Sequence, residues 1–198
     1  SRADSLFEES LTLYRELGDP AGVAWALLMR GRTAGTQADT ARARSLMEES
    51  LLGFREQRNA WGMAWAHLSL GEAELEQGDV ATALGQFEEA RGLLGALGDS
   101  DSAALTLRNL GRVARMQGDG ARATVLLEGS LAQLRGQGNR IGIARVLLDL
   151  GRVARMQGDG ARAAELYRES LTLHRELGGT LGVSECLAAL AGVAGAMG

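Results

Sequence analysis

Arginine carries most of the chemistry this chain could do. All 21 basic residues are arginine, and one pair recurs: Arg112 with Arg115, then Arg152 with Arg155 forty residues later. Arg32 shares the repeat position of Arg112, and Arg108 and Arg145 lie close by. Spacings of three and four residues place such side chains on one face of a helix. A guanidinium is a planar fork that grips a carboxylate or a phosphate through two parallel hydrogen bonds. The alternative is a solvated face on which each arginine pairs with an acid of the neighbouring helix. With no lysine, the chain holds no phosphate-loop lysine and no Schiff-base amine.

Other reactive side chains are few. His67 and His174 are the only histidines and stand far apart, so no metal-binding cluster is visible. His67 occupies a position shared with Leu27, Leu107 and Leu147, and His174 one shared with Tyr14, Phe54, Leu94 and Leu134, which reads as substitution on packed faces. The single cysteine, Cys186, cannot form an internal disulfide and reads as a small buried apolar residue. Gly118-Asp119-Gly120-Ala121-Arg122-Ala123 has the spelling of a dinucleotide fingerprint. That fingerprint needs a strand before it, and here a helix precedes, so an inter-helix turn is expected. No nucleophile–base pair, metal set or phosphate loop points to an enzyme, and no cofactor is expected.

The elements that must hold the arginines are set by a period of forty. GRVARMQGDGARA stands at Gly111–Ala123 and again, unchanged, at Gly151–Ala163. Ala3, Ala43, Ala83, Ala123 and Ala163 fall in one column, and Gly31, Gly71, Gly111 and Gly151 in another. Gly-Asp or Gly-Asn punctuates the chain at half that interval. Asp119 reads as an N-cap, Leu126, Leu127, Leu131 and Leu134 as one helical face, and Gly138 as the residue past the helix end. Asn139 then caps a second helix through Ile143, Val146, Leu147, Leu150 and Ala154. Pro20 follows Asp19 at a first helical position, where its missing N–H costs nothing. Glycine inside a helix costs about 1 kcal/mol against alanine, so the Gly31 column implies close approach of a neighbouring backbone. The Ala123 column is expected across that contact. Phe7, Met47, Phe87, Leu127 and Tyr167 supply the large group that fills the space.

This pattern resembles the tetratricopeptide repeat family. The residues that carry the resemblance are Leu110-Gly111, Ala123, Leu127 and Ser130, and again Leu150-Gly151, Ala163, Tyr167 and Ser170. The period exceeds the family's usual length of about 34, which implies a longer second helix. Ala34, Glu74, Ala114 and Ala154 stand where the family has tyrosine. The longer variety resembles the sensor arrays of large bacterial transcription regulators and signalling ATPases of the MalT-like type. The resemblance implies an all-α fold, a right-handed α-solenoid of about ten helices in antiparallel pairs. It also places Trp25, Trp65 and the arginine face on the concave side. A groove-facing tryptophan would anchor a partner; the other reading packs Trp25 and Trp65 against the adjacent helix.

Composition and charge bound the function. One repeat array over 1–198 is expected, with a half unit at 1–19, full units at 20–58, 59–98, 99–138 and 139–178, and a half unit at 179–198, cut from a longer protein. The net charge is −4, too acidic for a general nucleic-acid binder. It is uneven: residues 1–100 carry nine arginines against sixteen acids, whereas 101–160 carry nine against five. No signal peptide or bilayer-spanning run is visible, so a cytoplasmic location away from membranes is expected. The expected role is a scaffold that docks a protein or peptide, with an acidic segment matching Arg32, Arg108, Arg112, Arg115, Arg145, Arg152 and Arg155 beside Trp25 and Trp65. An effector-sensing role within a bacterial regulator is the alternative. The last helix, through Val183, Leu187, Leu190 and Val193, is expected to expose an apolar face and to support self-association.

Overall fold

A computed structural model describes residues 2–37 and 39–197, and the side chains of these apart from 3, 100, 101, 196 and 197. The described residues form ten α-helices and no strand. They divide into two compact units, Ser1–Asp99 and Ser100–Gly198. The first holds α1 (Arg2–Glu16), α2 (Pro20–Thr36), α3 (Thr40–Glu56), α4 (Ala60–Glu76) and α5 (Val80–Leu97). The second holds α6 (Ser100–Met116), α7 (Gly120–Gly136), α8 (Arg140–Met156), α9 (Gly160–Glu176) and α10 (Thr180–Met197). Within each unit consecutive helices pack as antiparallel pairs, the arrangement of an all-α solenoid. No helix among the described residues is long and apolar enough to cross a membrane.

Local chemistry accounts for the boundaries. The Asp119 carboxylate accepts from Arg122 N at 2.9 Å, Asn139 from Gly142 N at 2.9 Å and Asp159 from Arg162 N at 2.9 Å. Each satisfies a donor that the first helical turn leaves open. At the other end Gly138 takes a φ of 66°, and Asn139 N donates to Leu134 O at 3.0 Å, closing α7 as the left-handed cap requires. Arg58 holds the equivalent place between α3 and α4 with a φ of 54°, the only such residue other than glycine among those described. The Gly118–Ala123 hexad is the turn from α6 into α7, as expected.

A Cβ in the glycine column would meet the large side chain of the following helix first and, at Gly31, also the Ala43 carbonyl at 3.0 Å. A Cβ at Gly151 would stand 2.4 Å from Tyr167 Cε1, and one at Gly71 would stand 2.6 Å from Phe87 Cε1. At Gly111 the nearest atom is Leu127 Cγ at 2.7 Å, while the Ala123 carbonyl lies at 3.4 Å. The close approach is therefore made chiefly by the large side chain of the following helix rather than by its backbone. A second column receives the large side chain of the preceding helix: Gly22, Gly62, Gly142 and Gly182 meet Tyr14, Phe54, Leu134 and His174. Ala43, Ala83, Ala123 and Ala163 are buried beside these contacts; Ala3 lies outside the described side chains. Serine locks the pairs further: Ser50, Ser130 and Ser170 donate to the carbonyls of Ala24, Ala104 and Ala144, each at 2.7 Å.

The even-numbered helices form the inner side of each unit. The backbones of α6, α8 and α10 approach one another, as do those of α2 and α4, whereas the odd helices keep their backbones apart. Long side chains span the odd gaps, as in Arg15–Glu49 at 3.9 Å and Arg135–Glu169 at 3.5 Å. On α10 the expected apolar face is largely covered. Val193 and Cys186 lie in the core, with Val183 and Leu190 packed against it, because these four fall on one helical stripe. Leu187 is exposed, together with Leu181.

Candidate interaction surface

The inner face of the second unit is built around an acid. Asp149 on α8 is 1% exposed, and its carboxylate accepts from Arg108 Nε of α6 at 2.7 Å. The other oxygen accepts from Arg152 at 2.9 Å, and Arg152 continues to Glu185 of α10 at 3.1 Å. One turn of each even helix is thereby tied to the next. Arg112 reaches Asn109, which occupies the repeat position of Asp149, at 3.3 Å. Three of the expected site arginines are thus engaged within the protein.

The others are placed differently. Arg145 and Arg155 on α8 and Arg32 on α2 are exposed. Arg115 on α6 is half-buried, and its Nε is buried with no hydrogen-bond partner. Arg115 and Arg155 sit in the last turns of α6 and α8, where positive charge is favourable. Nearby, the wholly buried Tyr167 of α9 also has an unpartnered hydroxyl. Burial pushes this phenol above its ordinary pKa, and the adjacent Arg155 guanidinium, by its charge and its approach to the hydroxyl, together with the charges of Arg152 and Arg115, works against that.

In the first unit the tryptophans form one aromatic chain. The rings of Trp25 and Phe54 meet edge-on with centroids 4.9 Å apart, Trp25 and Trp61 lie at 5.2 Å, and Trp61 and Trp65 at 5.9 Å. Trp61 is 45% exposed and donates from Nε1 to Asp99 at 3.0 Å. It joins Trp25 to Trp65, and no repeat signal singles it out, since its column elsewhere holds Ala21, Asp101, Ile141 and Leu181. His67 is buried, with Nδ1 at 2.7 Å from Gln86 Oε1. A cleft of about 640 Å³ between α1, α2 and α3 is lined by Tyr14, Pro20, Leu27 and Gln57 among others, and not by Trp25, Trp65 or His67.

Cys186 is buried and its Sγ lies 3.2 Å from Ser170 Oγ; burial raises its pKa, which suppresses thiolate chemistry. Among the described residues no group of His, Cys, Asp and Glu is arranged to hold a metal ion.

The tetratricopeptide repeat family model matches residues 62–135 and 102–176. Among curated proteins, none matches this chain in sequence. Among solved structures, BtubC (BKLC) from P. vanneervenii is similar at a TM-score of 0.72 and 16% identity, over 99% of this chain and 91% of that one. Apo RapI is similar at 0.70 and 15% identity, over 87% of this chain and 48% of its own. A Rap protein complexed with Competence and Sporulation Factor is similar at 0.69 and 13% identity, over 96% of this chain and 57% of its own. The chain thus spans about half the length of the Rap proteins, and at these identities the likeness concerns the fold.

Proposed function

The chain belongs to the tetratricopeptide repeat family, and from that premise we propose that it is an interaction scaffold whose inner, even-helix face docks a protein or peptide segment. The observation that carries the reading is the surplus of positive charge on the inner face of the second unit. Asp149 and Glu185 answer Arg108 and Arg152, but Arg145 and Arg155 are exposed and make no ion pair among the described residues. Uncompensated arginines on a pre-formed face match an acidic segment, which they would steer and orient. In the first unit the exposed edge of Trp61, beside Trp25 and Trp65, offers an apolar anchor of the kind that dominates binding energy at interfaces. The similarity to a Rap protein complexed with Competence and Sporulation Factor supports a role in binding, here transferred by fold.

The reading is tested by titrating the 198-residue chain with labelled peptides of matched length, one rich in Glu and Leu and one rich in Arg and Leu. Fluorescence anisotropy is expected to show saturable binding of the acidic peptide, weakening as salt rises. Equal binding of both peptides, or of neither, would refute the proposal.

A further inference from the structure

The unpartnered donors beneath Arg155 ask for one kind of ligand. The Tyr167 ring is pressed under the α8 turn that begins at Gly151: an ideal Cβ there would lie 2.4 Å from Cε1 and 3.1 Å from Cζ. This directs the phenol toward the stretch of α8 that carries Arg152 and Arg155. The hydroxyl is buried and makes no hydrogen bond of acceptable geometry. Arg115 Nε, on the adjacent inner helix, is likewise buried and unpartnered. Both groups are donors, an N–H that can only donate and an O–H with its hydrogen free. Each buried donor left open costs about 1–3 kcal/mol. What the place lacks is an acceptor, and one carrying negative charge, because the surrounding groups are guanidinium. The protein's own carboxylates do not supply it: Asp149 and Glu185 are taken by Arg108 and Arg152. Arg155 is exposed on α8.

The geometry points to an oxyanion-binding site between α6, α8 and α9, in which Arg115 Nε, Tyr167 Oη and the Arg155 guanidinium hold a single phosphate or carboxylate group of a docked segment. The inference rests on the interaction-scaffold reading only for the source of the oxyanion; the site itself is a property of the second unit. The sequence column explains why it arises once. Tyr167 stands where the other copies have Phe7, Met47, Phe87 and Leu127, none of which carries a hydroxyl. Arginine occupies the Arg115 column only at 115 and 155, the other copies holding Gly35, Leu75 and Gly195.

The test uses inorganic phosphate as the first probe, titrated into the whole chain while the Arg115 Nε–H resonance is followed by NMR, with chloride at equal ionic strength as control. Saturable phosphate binding with a downfield move of that resonance is expected. Tyr167→Phe keeps the ring and removes only the hydroxyl, so the fold should persist while phosphate affinity falls about tenfold; Arg115→Gln and Arg155→Gln should each do the same. A phosphoserine peptide and its glutamate counterpart then distinguish phosphate from carboxylate as the source, and the tighter of the two identifies it. No phosphate effect beyond chloride, or unchanged affinity in Tyr167→Phe, would overturn the site. If acidic peptides bind but are indifferent to Tyr167→Phe and Arg115→Gln, the scaffold reading survives without this site. If phosphate binds at these residues and no peptide does, the site survives without that reading.

Discussion

Arg108 of α6 and Asp149 of α8 meet at 2.7 Å with the acid 1% exposed and the arginine side chain 15% exposed. This pair joins two inner helices of the second unit where the first unit has Leu28 on α2 and Ser69 on α4 in the same repeat positions. A buried ion pair is weak evidence for net stability, since desolvating both charges offsets their attraction.

Single and double substitutions at this pair should therefore have opposite outcomes. Asp149→Met alone strands Arg108 and half of the Arg152 contact, and should cost about 2–4 kcal/mol in chemical denaturation. Arg108→Leu with Asp149→Met copies residues found in the equivalent columns, Leu28 and Met29, and should recover most of that loss. A double variant no more stable than the single one would show that the pair is not the coupled unit described here.

Glycine-to-alanine substitutions should split by column. Gly151→Ala drives a Cβ into the rigid, fully buried Tyr167 ring, and should destabilise by about 1–3 kcal/mol despite alanine's better helix propensity. Gly92→Ala, on α5, meets nothing within 4 Å and should stabilise by about 0.5–1 kcal/mol. Thermal melts of both variants decide this, and a stabilised Gly151→Ala would contradict the packing.

Ser130 Oγ donates to the Ala104 carbonyl at 2.7 Å inside the core. Ser130→Ala should therefore cost about 1 kcal/mol. Ala90 fills the same column in α5 and is wholly buried, so the alanine itself fits; a loss well above this would mean the serine does more than join two helices.

His174 gives the second unit a pH dependence. It is buried, its Nε2 is unpartnered, and burial together with the Arg145 charge holds its pKa below the usual imidazole value, with Glu185 opposing. The folded state thus resists a proton that the unfolded chain accepts. Stability from this source is complete above about pH 6.5 and declines as pH falls from there toward the lowered folded value. His174→Leu, the residue at Leu94 and Leu134, should remove that decline. Glu74 works in the other direction, since burial raises its pKa; the comparison is therefore the difference between wild-type and His174→Leu denaturation curves across pH. A difference that does not change below pH 6.5 would contradict the assignment.

The repeat makes much of the fold legible in the sequence. Caps at Asp119, Asn139 and Asp159, the left-handed glycines and the Gly31 column are all periodic, and periodicity is what sequence displays best. The residues that define the surface are departures from the period. Asp149 shares a column with Met29, Ser69, Asn109 and Ala189, so nothing marks it until Arg108 is seen across the helix gap. Tyr167 looks like core because its ring is core; only its hydroxyl is unusual. Trp61 lies outside the column of Trp25 and Trp65, yet it bridges them. The sequence left the arginines open between binding and internal pairing, and the structure divides them: Arg108 and Arg152 pair with Asp149, while Arg145 and Arg155 stay exposed.

Recognition of an acidic segment by the exposed arginines of the second unit is the proposed basis of binding. Its most direct measurement is the affinity of a labelled Glu- and Leu-rich peptide for wild type and for the Arg145→Glu/Arg155→Glu variant, with circular dichroism confirming that both are folded. Saturable binding to wild type and a loss of at least about tenfold in the variant are expected. Equal affinity for the two proteins would contradict it.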